Sequence, residues 1–481
     1  MCHISIVGFE HHLTAGHGRG ALADAPHSGA AGGAACGDLI RVSVRVEGDR
    51  VAEAGFDASG CGAVQAAGSA VVELVEGTPL LEAARLDAAR VADALGGLSA
   101  AGRHGADLAV DAFHRALGAA ARDGAFAVAP SGRRTLVAMS GGVDSAAAAQ
   151  LALDRGDEVV AVTLELWADS ATDGEKSCCS PQAVMGARDL AHGMGIPHFT
   201  LDVRDRFRAD VVDDFLAGYA SGRTPNPCVR CNGFVRFDAM LELAGLLGAA
   251  RLATGHYARV GRDEEGPLVR AAADPRKDQS YMLARLGPEQ LERLAFPLGG
   301  LDKPAVRALA RDASLPVADK RESQDLCFLA GSGRRAFMRR HGGRRLAAAP
   351  GEIVDSAGGV VGRHDGHHDF TIGQRRGIGV AGREPLYVLA KDAARNRVVV
   401  GTRAELATDA VVLDEVSLHR SAGRVGSVRL RYRAAPIPCR AVERRAGLAL
   451  ELARPADAVA PGQVACLMDG DLVVGCGTIG E

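Results

Sequence analysis

Thr135-Leu136-Val137-Ala138-Met139-Ser140-Gly141-Gly142-Val143-Asp144-Ser145-Ala146-Ala147-Ala148-Ala149 is the stretch that decides the fold. A short apolar run ends in a hydroxyl, two glycines and a carboxylate, and helix formers begin at once. It reads as a strand over 135–139, a tight turn, and a helix over 145–153. Glycine lets the backbone approach an anion closely, and a helix N-terminus offers N–H groups and a positive dipole end. The hydroxyls of Ser140 and Ser145 and the Asp144 carboxylate suit a pyrophosphate with Mg²⁺, Asp144 standing on the metal side. The turn is not a Walker A loop, because Lys-Ser/Thr after the second glycine is missing.

Working outward, the same rhythm continues with a strand over 158–166, a helix over 181–194, a strand over 198–203, a long helix over 205–220, a helix over 236–247 and a strand over 251–254. Strands alternating with helices imply an α/β unit whose parallel sheet is covered on both faces. Beyond about residue 340, Gly, Val and Arg dominate and helices nearly vanish. Short strands at 352–362, 385–390, 397–400, 410–418, 427–433 and 472–479 predict small β-barrel-like units. Toward the amino terminus, residues 39–46 alternate, Glu47-Gly48-Asp49 turns the chain, and a second strand ends near Phe56, which is a hairpin signal. Ala-rich helices follow at 63–76 and 106–122. Residues 1–35 are rich in His, Gly and Ala without a period and read as a flexible tail. Four units result: an α+β domain at 1–125, the α/β domain at 133–335, and two β-rich domains at 336–403 and 404–481.

The chain has 481 residues, 47% hydrophobic and 24% charged, which excludes wholesale disorder and collagen-like structure. Its net charge is −3, so a nucleic-acid surface must be a local patch. Residues 1–125 carry nine arginines, no lysine and fifteen acids, a balance of −6 that leaves +3 for the remainder. Only five of the 56 basic residues are lysine (176, 277, 303, 320 and 391), a ratio that GC-rich codon usage explains. The eleven cysteines are odd in number, no basic segment followed by an apolar one opens the chain, and no apolar run approaches the ~18 residues of a membrane span. These features predict a cytoplasmic protein without a membrane partner, its thiols reactive or metal-bound.

Cys228-x-x-Cys231 alone reads as half a zinc site or as a redox pair. Cys327 has no cysteine neighbour, and the adjacent Cys178-Cys179 is poorly spaced for chelation. The preferred reading is two thiols paired in space, one from 228–231 and one from near 327: one carries transferable sulfur, and the other attacks to release it and leaves a disulfide.

Ser140–Ser145 is similar to the PP-loop of ATP pyrophosphatases, which adenylate a carbonyl oxygen. Further strings narrow the resemblance: Gly222-Arg223-Thr224-Pro225-Asn226-Pro227-Cys228-Val229-Arg230-Cys231-Asn232, Ala253-Thr254-Gly255-His256-Tyr257-Ala258, Lys277-Asp278-Gln279-Ser280-Tyr281, Glu322-Ser323-Gln324-Asp325-Leu326-Cys327-Phe328, Phe370-Thr371-Ile372-Gly373-Gln374-Arg375-Arg376-Gly377, Arg431-Tyr432-Arg433 and Pro461-Gly462-Gln463. In this order, over about 134–481, they resemble the tRNA-specific 2-thiouridylase family. The resemblance implies ATP and Mg²⁺ bound at Ser140, Gly141, Gly142, Val143, Asp144 and Ser145, with Leu164 near the adenine and Gly255 in ATP binding. It implies a persulfide on Cys327 and Cys231 as nucleophile, with Asn226, Pro227 and Cys228 lining the pocket of the target base. His256 would polarise a phosphate or the base. Lys277, Asp278 and Gln279 suit phosphate and ribose contacts, while Arg431, Tyr432 and Gln463 match tRNA contacts of the family. Residues 428–433 alternate strictly, which predicts three arginines on one strand face with Tyr432 opposite. The implied partners are tRNA and a sulfur-donor protein, either a cysteine desulfurase or a relay protein. His364-Asp365-Gly366-His367-His368-Asp369 resembles a structural segment of the family, and no metal is assigned to it.

Cys36-Gly37-Asp38, Gly60-Cys61-Gly62 and Arg103-His104 resemble the IscU/NifU-type iron–sulfur scaffold, which uses three cysteines aided by Asp and His. The third cysteine is replaced by Gly105. Cys36, Asp38, Cys61 and His104 would hold zinc or an iron–sulfur cluster in a working site, but the lost thiolate favours a degenerate scaffold that docks a sulfur donor. Fusion would keep donor and acceptor at high effective concentration. Two rival readings remain: an amidating synthetase of the PP-loop class, and a sulfur-trafficking scaffold with a relic pyrophosphatase domain.

Overall fold

The computed structural model describes residues 7–20, 22, 25–33, 37–169, 180–321, 326–329, 331–445 and 447–481. Cys36, Cys178, Cys179 and the 322–325 part of the Cys327 motif lie outside the described residues.

The amino-terminal unit opens on α1 (Val7–Ala15), so the tail expected over 1–35 is instead partly built into the fold. Then β1 (His27–Gly32), β2 (Leu39–Glu47) and β3 (Arg50–Ser59) form an antiparallel sheet in that order. The alternation of β1 is carried by small residues and a buried histidine, too weak a hydrophobic signal to read from sequence. Helices α2 (Gly62–Val75), α3 (Leu80–Ala83), α4 (Ala88–Ala94) and α5 (Ala100–Arg122) follow. Asp87 and Ser99 cap α4 and α5 by accepting from the N–H groups of Arg90 and Gly102.

The second unit contains β4 (Ser131–Ala138), α6 (Val143–Asp154), β5 (Glu158–Glu165), α7 (Pro181–Gly193) and β6 (His198–Asp202). The long helix expected over 205–220 is α8 (Arg204–Phe207), a π-turn Arg208–Val212 and α9 (Asp213–Ala220). Next come α10 (Pro227–Cys231), a second π-turn Asn232–Arg236, α11 (Phe237–Leu246), β7 (Ala249–Thr254), β8 (Arg259–Asp263), β9 (Gly266–Arg270), α12 (Pro288–Leu291), β10 (Leu294–Ala295), α13 (Lys303–Asp312) and α14 (Arg334–His341). The sheet runs β10-β7-β4-β5-β6 with every pair parallel. After β4 the chain moves outward through β5 to β6, then returns to β7 on the other side of β4. The crevice at the carboxyl ends of β4, β5 and β7 is therefore the switch point where such sheets bind ligands.

The third unit is a four-stranded sheet, β12-β11-β14-β13, from β11 (Gly351–Asp355), β12 (Val360–His364), β13 (Tyr387–Asp392) and β14 (Arg397–Gly401). The strand expected over 352–362 is thus a hairpin. In the last unit β15 (Ala407–Leu418), β16 (Ser427–Arg429), β17 (Ile437–Arg444), β18 (Gly447–Asp457), β19 (Val464–Asp469) and β20 (Leu472–Ile479) run β15-β18-β17-β16-β19-β20, and pairing of β15 with β20 closes the barrel. Hairpin β8–β9 of the second unit joins the outer side of β20. The strand expected over 427–433 stops at Arg429. Arg431 and Tyr432 enter a turn in which Ala434 donates to the Arg431 carbonyl and Arg433 takes φ +63°, so the three arginines do not share a strand face.

Candidate active site

The loop after β4 is held open by its own hydroxyls. Ser145 Oγ donates to the Gly142 carbonyl at 3.0 Å and accepts from the Ser140 N–H at 3.2 Å. Gly141 sits at φ +68°, a conformation that disfavours any side chain. Gly142 then caps α6, whose first turn brings Asp144 and Ser145 to the crevice while Val143 is buried in the core. Gly255, just past β7, lies so close to this turn that a Cβ there would stand 2.8 Å from the Asp144 carbonyl carbon and 2.9 Å from the Ser145 nitrogen. Glycine at 255 is therefore a packing requirement between two loops of one cleft.

That cleft is lined by Ser140, Asp144, Ser145, Leu164, Gly255, His256 and Gln279 among others, so residues from five separated sequence segments converge. Val162, Leu164, Leu166 and Met240 give it an apolar side suited to a planar ring, opposite the hydroxyls and N–H groups. Gln279 accepts from the Tyr257 N–H at 2.9 Å, which fastens the 277–281 loop to the end of β7. His256 bonds Thr254 Oγ1 through Nδ1 at 2.8 Å and packs between the rings of Phe237 and Phe296. Burial, with the Arg236 guanidinium nearby, pushes its pKa down to about 3, so the ring is neutral at physiological pH.

Two lysines that the sequence reading passed over reach the loop. Lys303, the first residue of α13, donates to Asp144 Oδ1 at 2.7 Å, and Tyr257 Oη donates to the same oxygen at 2.8 Å. Lys320 donates to the Gly141 carbonyl at 2.8 Å. No motif around either lysine marks it in sequence, because their partners Asp144 and Gly141 lie more than 150 residues away. Both bonds to Asp144 fall on Oδ1, which leaves Oδ2 for a cation; with the Ser140 and Ser145 hydroxyls adjacent, this donor set fits Mg²⁺.

Cys231 ends α10, whose start is set by Pro227 and by Asn226, a cap whose Oδ1 accepts from the Val229 N–H at 3.2 Å. Cys231 is buried, while Cys228 and Cys327 are half-buried. Phe328, beside Cys327, is wedged among the rings of Phe207, Phe215 and Phe337. Because α10 packs on the π-turn that lies between Phe207 and Phe215, both cysteine segments border the same helical layer.

Several predicted contact residues are committed to joining domains. Asp278 is buried, accepts from the N–H groups of Ala272 and Ser280, and pairs with Arg429 of the barrel. Lys277 next to it is half-buried. Gln463 donates to the Thr224 carbonyl at 2.9 Å, and Tyr281 Oη to the Val464 carbonyl at 2.7 Å, so the barrel clamps the loop leading into α10. Arg431 is exposed and touches the Asp457 carbonyl; Tyr432 is half-buried 6.2 Å from the Tyr281 ring.

In the amino-terminal unit, Asp38 accepts from the Cys61 N–H at 2.7 Å and from Cys61 Sγ at 3.3 Å. These bonds, with His104 nearby, hold the Asp38 carboxyl below its usual range. Gly105 backs onto α2: a Cβ there would lie 2.8 Å from the Val64 nitrogen. The missing thiolate is thus matched by a packing that has no room for it. Among the described residues no group of three His, Cys, Asp or Glu side chains could hold a metal ion, and Cys36, the fourth residue of the expected ligand set, lies outside them.

A parallel sheet with a glycine turn and a half-apolar cleft at its switch point defines a nucleotide-binding α/β protein. The model of the tRNA methyl transferase HUP domain matches residues 133–331, and that of the NifU-like N terminal domain matches 10–122. The tRNA methyl transferase PRC-barrel domain matches 337–402 and the aminomethyltransferase beta-barrel domain 414–479. The bifunctional protein NifU/MnmA of Rubrobacter xylanophilus is 45% identical over 469 residues, covering 94% of this chain and 93% of that one. The tRNA-specific 2-thiouridylase MnmA of Geotalea uraniireducens is 42% identical over 357 residues, covering 72% of this chain and 95% of that enzyme. A NifU-like protein (N-terminal) from Brucella abortus aligns at 21% identity and a TM-score of 0.16, over 24% of this chain and 85% of that one. The chain belongs to the family of bifunctional NifU/MnmA proteins.

Proposed function

We propose that this chain is an ATP-dependent tRNA 2-thiouridylase acting on the wobble uridine in the cytoplasm. The observation that carries the reading is the convergence of Ser140, Asp144, Ser145, Leu164, Gly255 and Gln279 on one cleft at the switch point of the parallel sheet. Adenine stacks against the apolar side at Leu164, and the phosphates meet the N–H groups at the start of α6. Lys303 and Lys320 stand where negative charge gathers as pyrophosphate departs. Mg²⁺, when bound with the nucleotide, would be held by Asp144 and would neutralise charge on the leaving group.

The uridine, turned out of the anticodon loop, rests near Asn226, Pro227 and Cys228, and its C2 oxygen attacks the α-phosphorus. The bond from that phosphorus to pyrophosphate breaks, and C2 acquires AMP as leaving group. The terminal sulfur of a Cys327 persulfide attacks C2, and AMP departs with the original oxygen. The Cys231 thiolate then attacks Cys327 Sγ, which releases 2-thiouridine and forms a Cys231–Cys327 disulfide. A thiol reductant and a donor protein, a desulfurase or a relay, restore the two sulfurs. The barrel face with Arg431 and Tyr432, together with exposed Arg375 and Arg376, tracks the tRNA backbone.

Incubation of the protein with ATP, Mg²⁺, a persulfide donor, a thiol reductant and unmodified tRNA should give AMP and 2-thiouridine in equal amounts. Formation of neither contradicts the proposal. AMP formation that survives in a Cys327→Ser variant with product other than thiouridine would mean an amidating synthetase.

A further inference from the structure

The amino-terminal unit is not a module on a tether. His198 of edge strand β6 donates its N–H to the Ala84 carbonyl at 3.0 Å, so the neighbouring unit takes up a backbone group of the catalytic sheet's edge. Helix α5 lies so close to that strand that a Cβ on Gly118 would stand 2.0 Å from the Thr200 carbonyl oxygen. The hydrophobic core runs without a break from Phe113, Leu117 and Ala121 to Phe199 and Leu201. Phe126, in the connecting segment, meets the Phe199 ring at 6.0 Å.

Through this contact runs a chain of charges. Arg188 of α7 donates to Asp111 Oδ1 at 3.0 Å, Arg115 Nε donates to Asp111 Oδ2 at 2.8 Å, and Arg115 Nη1 lies 3.2 Å from Glu165 Oε1. Arg188, Asp111 and Glu165 are 3%, 7% and 5% exposed, so each charge depends on its partners for solvation. Burial pushes the Glu165 carboxyl up, and Arg115 opposes that shift. The sequence neighbours of both ends stand at the nucleotide cleft. Ala187, beside Arg188, is the residue that a side chain on Gly141 would meet first, at 3.6 Å. Glu165 stands between Leu164 and Leu166, which line the apolar side.

We propose that the amino-terminal unit is a wall of the nucleotide site, and that Asp111 and Arg115 are positioning residues that fix α7 and the end of β5 around bound ATP. The inference rests on reading the cleft as the ATP site. It gives the scaffold-like unit a role that needs no metal: buried ion pairs set register between two packed elements, here the helix under the PP-loop and the strand beside the adenine.

The test uses the full chain and measures ATP affinity directly, alongside kcat and the KM for tRNA. Arg115→Gln breaks the link to Glu165 while Arg188 keeps Asp111, and it should weaken ATP binding about tenfold with little change in the KM for tRNA. Arg115→Lys should recover part of the loss. Glu165→Gln should show a similar loss, and the double variant no more than either alone, because both remove one interaction. Arg85→Ala removes a contact of the same interface, to the Gly195 carbonyl, that does not lead to the cleft, and should leave ATP affinity unchanged. If folded Arg115→Gln protein, with an unaltered thermal transition, binds ATP as the parent does, the inference is overturned. It is equally overturned if Arg85→Ala weakens ATP binding as much, since the effect would then be general loosening. Parent protein that binds no ATP would sink the reading of the cleft itself, a different result.

Discussion

The cleft at residues 140–145 and the cluster at Asp38, Cys61 and His104 draw on similar chemistry, polar and acidic groups beside glycine turns, yet they are built differently. In the cleft, glycine at 255 brings two loops to within contact and lysines converge on the turn. In the cluster, glycine at 105 brings two helices together and occupies the place a ligand would need. A close glycine contact can thus create a site or close one. The difference lies in whether N–H groups and charges are left pointing at the gap.

The largest effect separates the cysteines. Cys327→Ser and Cys231→Ser should each lower 2-thiouridine formation by about a thousandfold or more, because in the proposed reaction each removes a reacting sulfur. Cys61→Ser, assayed with a small-molecule persulfide as donor, should stay within about twofold of the parent. Nucleoside mass spectrometry of the tRNA reads both, and equal losses from Cys61 would erase the contrast. Next in size is Gly255→Ala, whose added methyl meets backbone on two sides and should weaken ATP binding by about a hundredfold, measured by calorimetry. Lys303→Met should cost about tenfold in kcat/KM for ATP, less because Tyr257 still holds Asp144. Gly105→Cys should lower unfolding stability by about 1–3 kcal/mol and bind no stoichiometric zinc or iron. Metal binding with unchanged stability would show that the cluster is closed only by its missing thiolate.

A smaller effect concerns acid. His114, His192 and His198 meet at the junction of the first two units, and burial, with Arg188 nearby, lowers the pKa of all three. Leu86 and Ala84 carbonyls accept from His114 and His192, and Asp87 and Arg85 also face His192. The unfolded chain takes up protons near the ordinary value of about 6.5 while the folded junction does not. Stability is therefore full above about pH 6.5 and declines as pH falls below it. Thermal unfolding scanned from pH 7.5 to 5.5 should show this decline, and His198→Phe should flatten it.

Much of this was readable from residues in order. The strand, glycine turn and helix around Ser140 announce themselves because periodicity and turn chemistry are local. What escaped was set by distant partners. Residues 7–15 form a helix because it packs on α2. Arg429 looked like one of a stripe of tRNA-facing arginines, but it pairs with Asp278, far away in sequence. Asp278 and Gln463 carry the marks of ligand contacts, and their bonds across domains were not legible because those partners are distant in sequence. Strands β17, β18 and β19 went unread because the barrel's pairing, not their composition, defines them. The ion chain from Arg188 to Glu165 has no sequence signature at all.

The central claim is that the C2 oxygen leaves as part of AMP. Unmodified tRNA carrying ¹⁸O at C2 of the wobble uridine, turned over once with ATP and a persulfide donor, tests it most directly. The account predicts one ¹⁸O in the phosphate of AMP for each 2-thiouridine formed. Label recovered in water, pyrophosphate or inorganic phosphate, with AMP unlabelled, would contradict it.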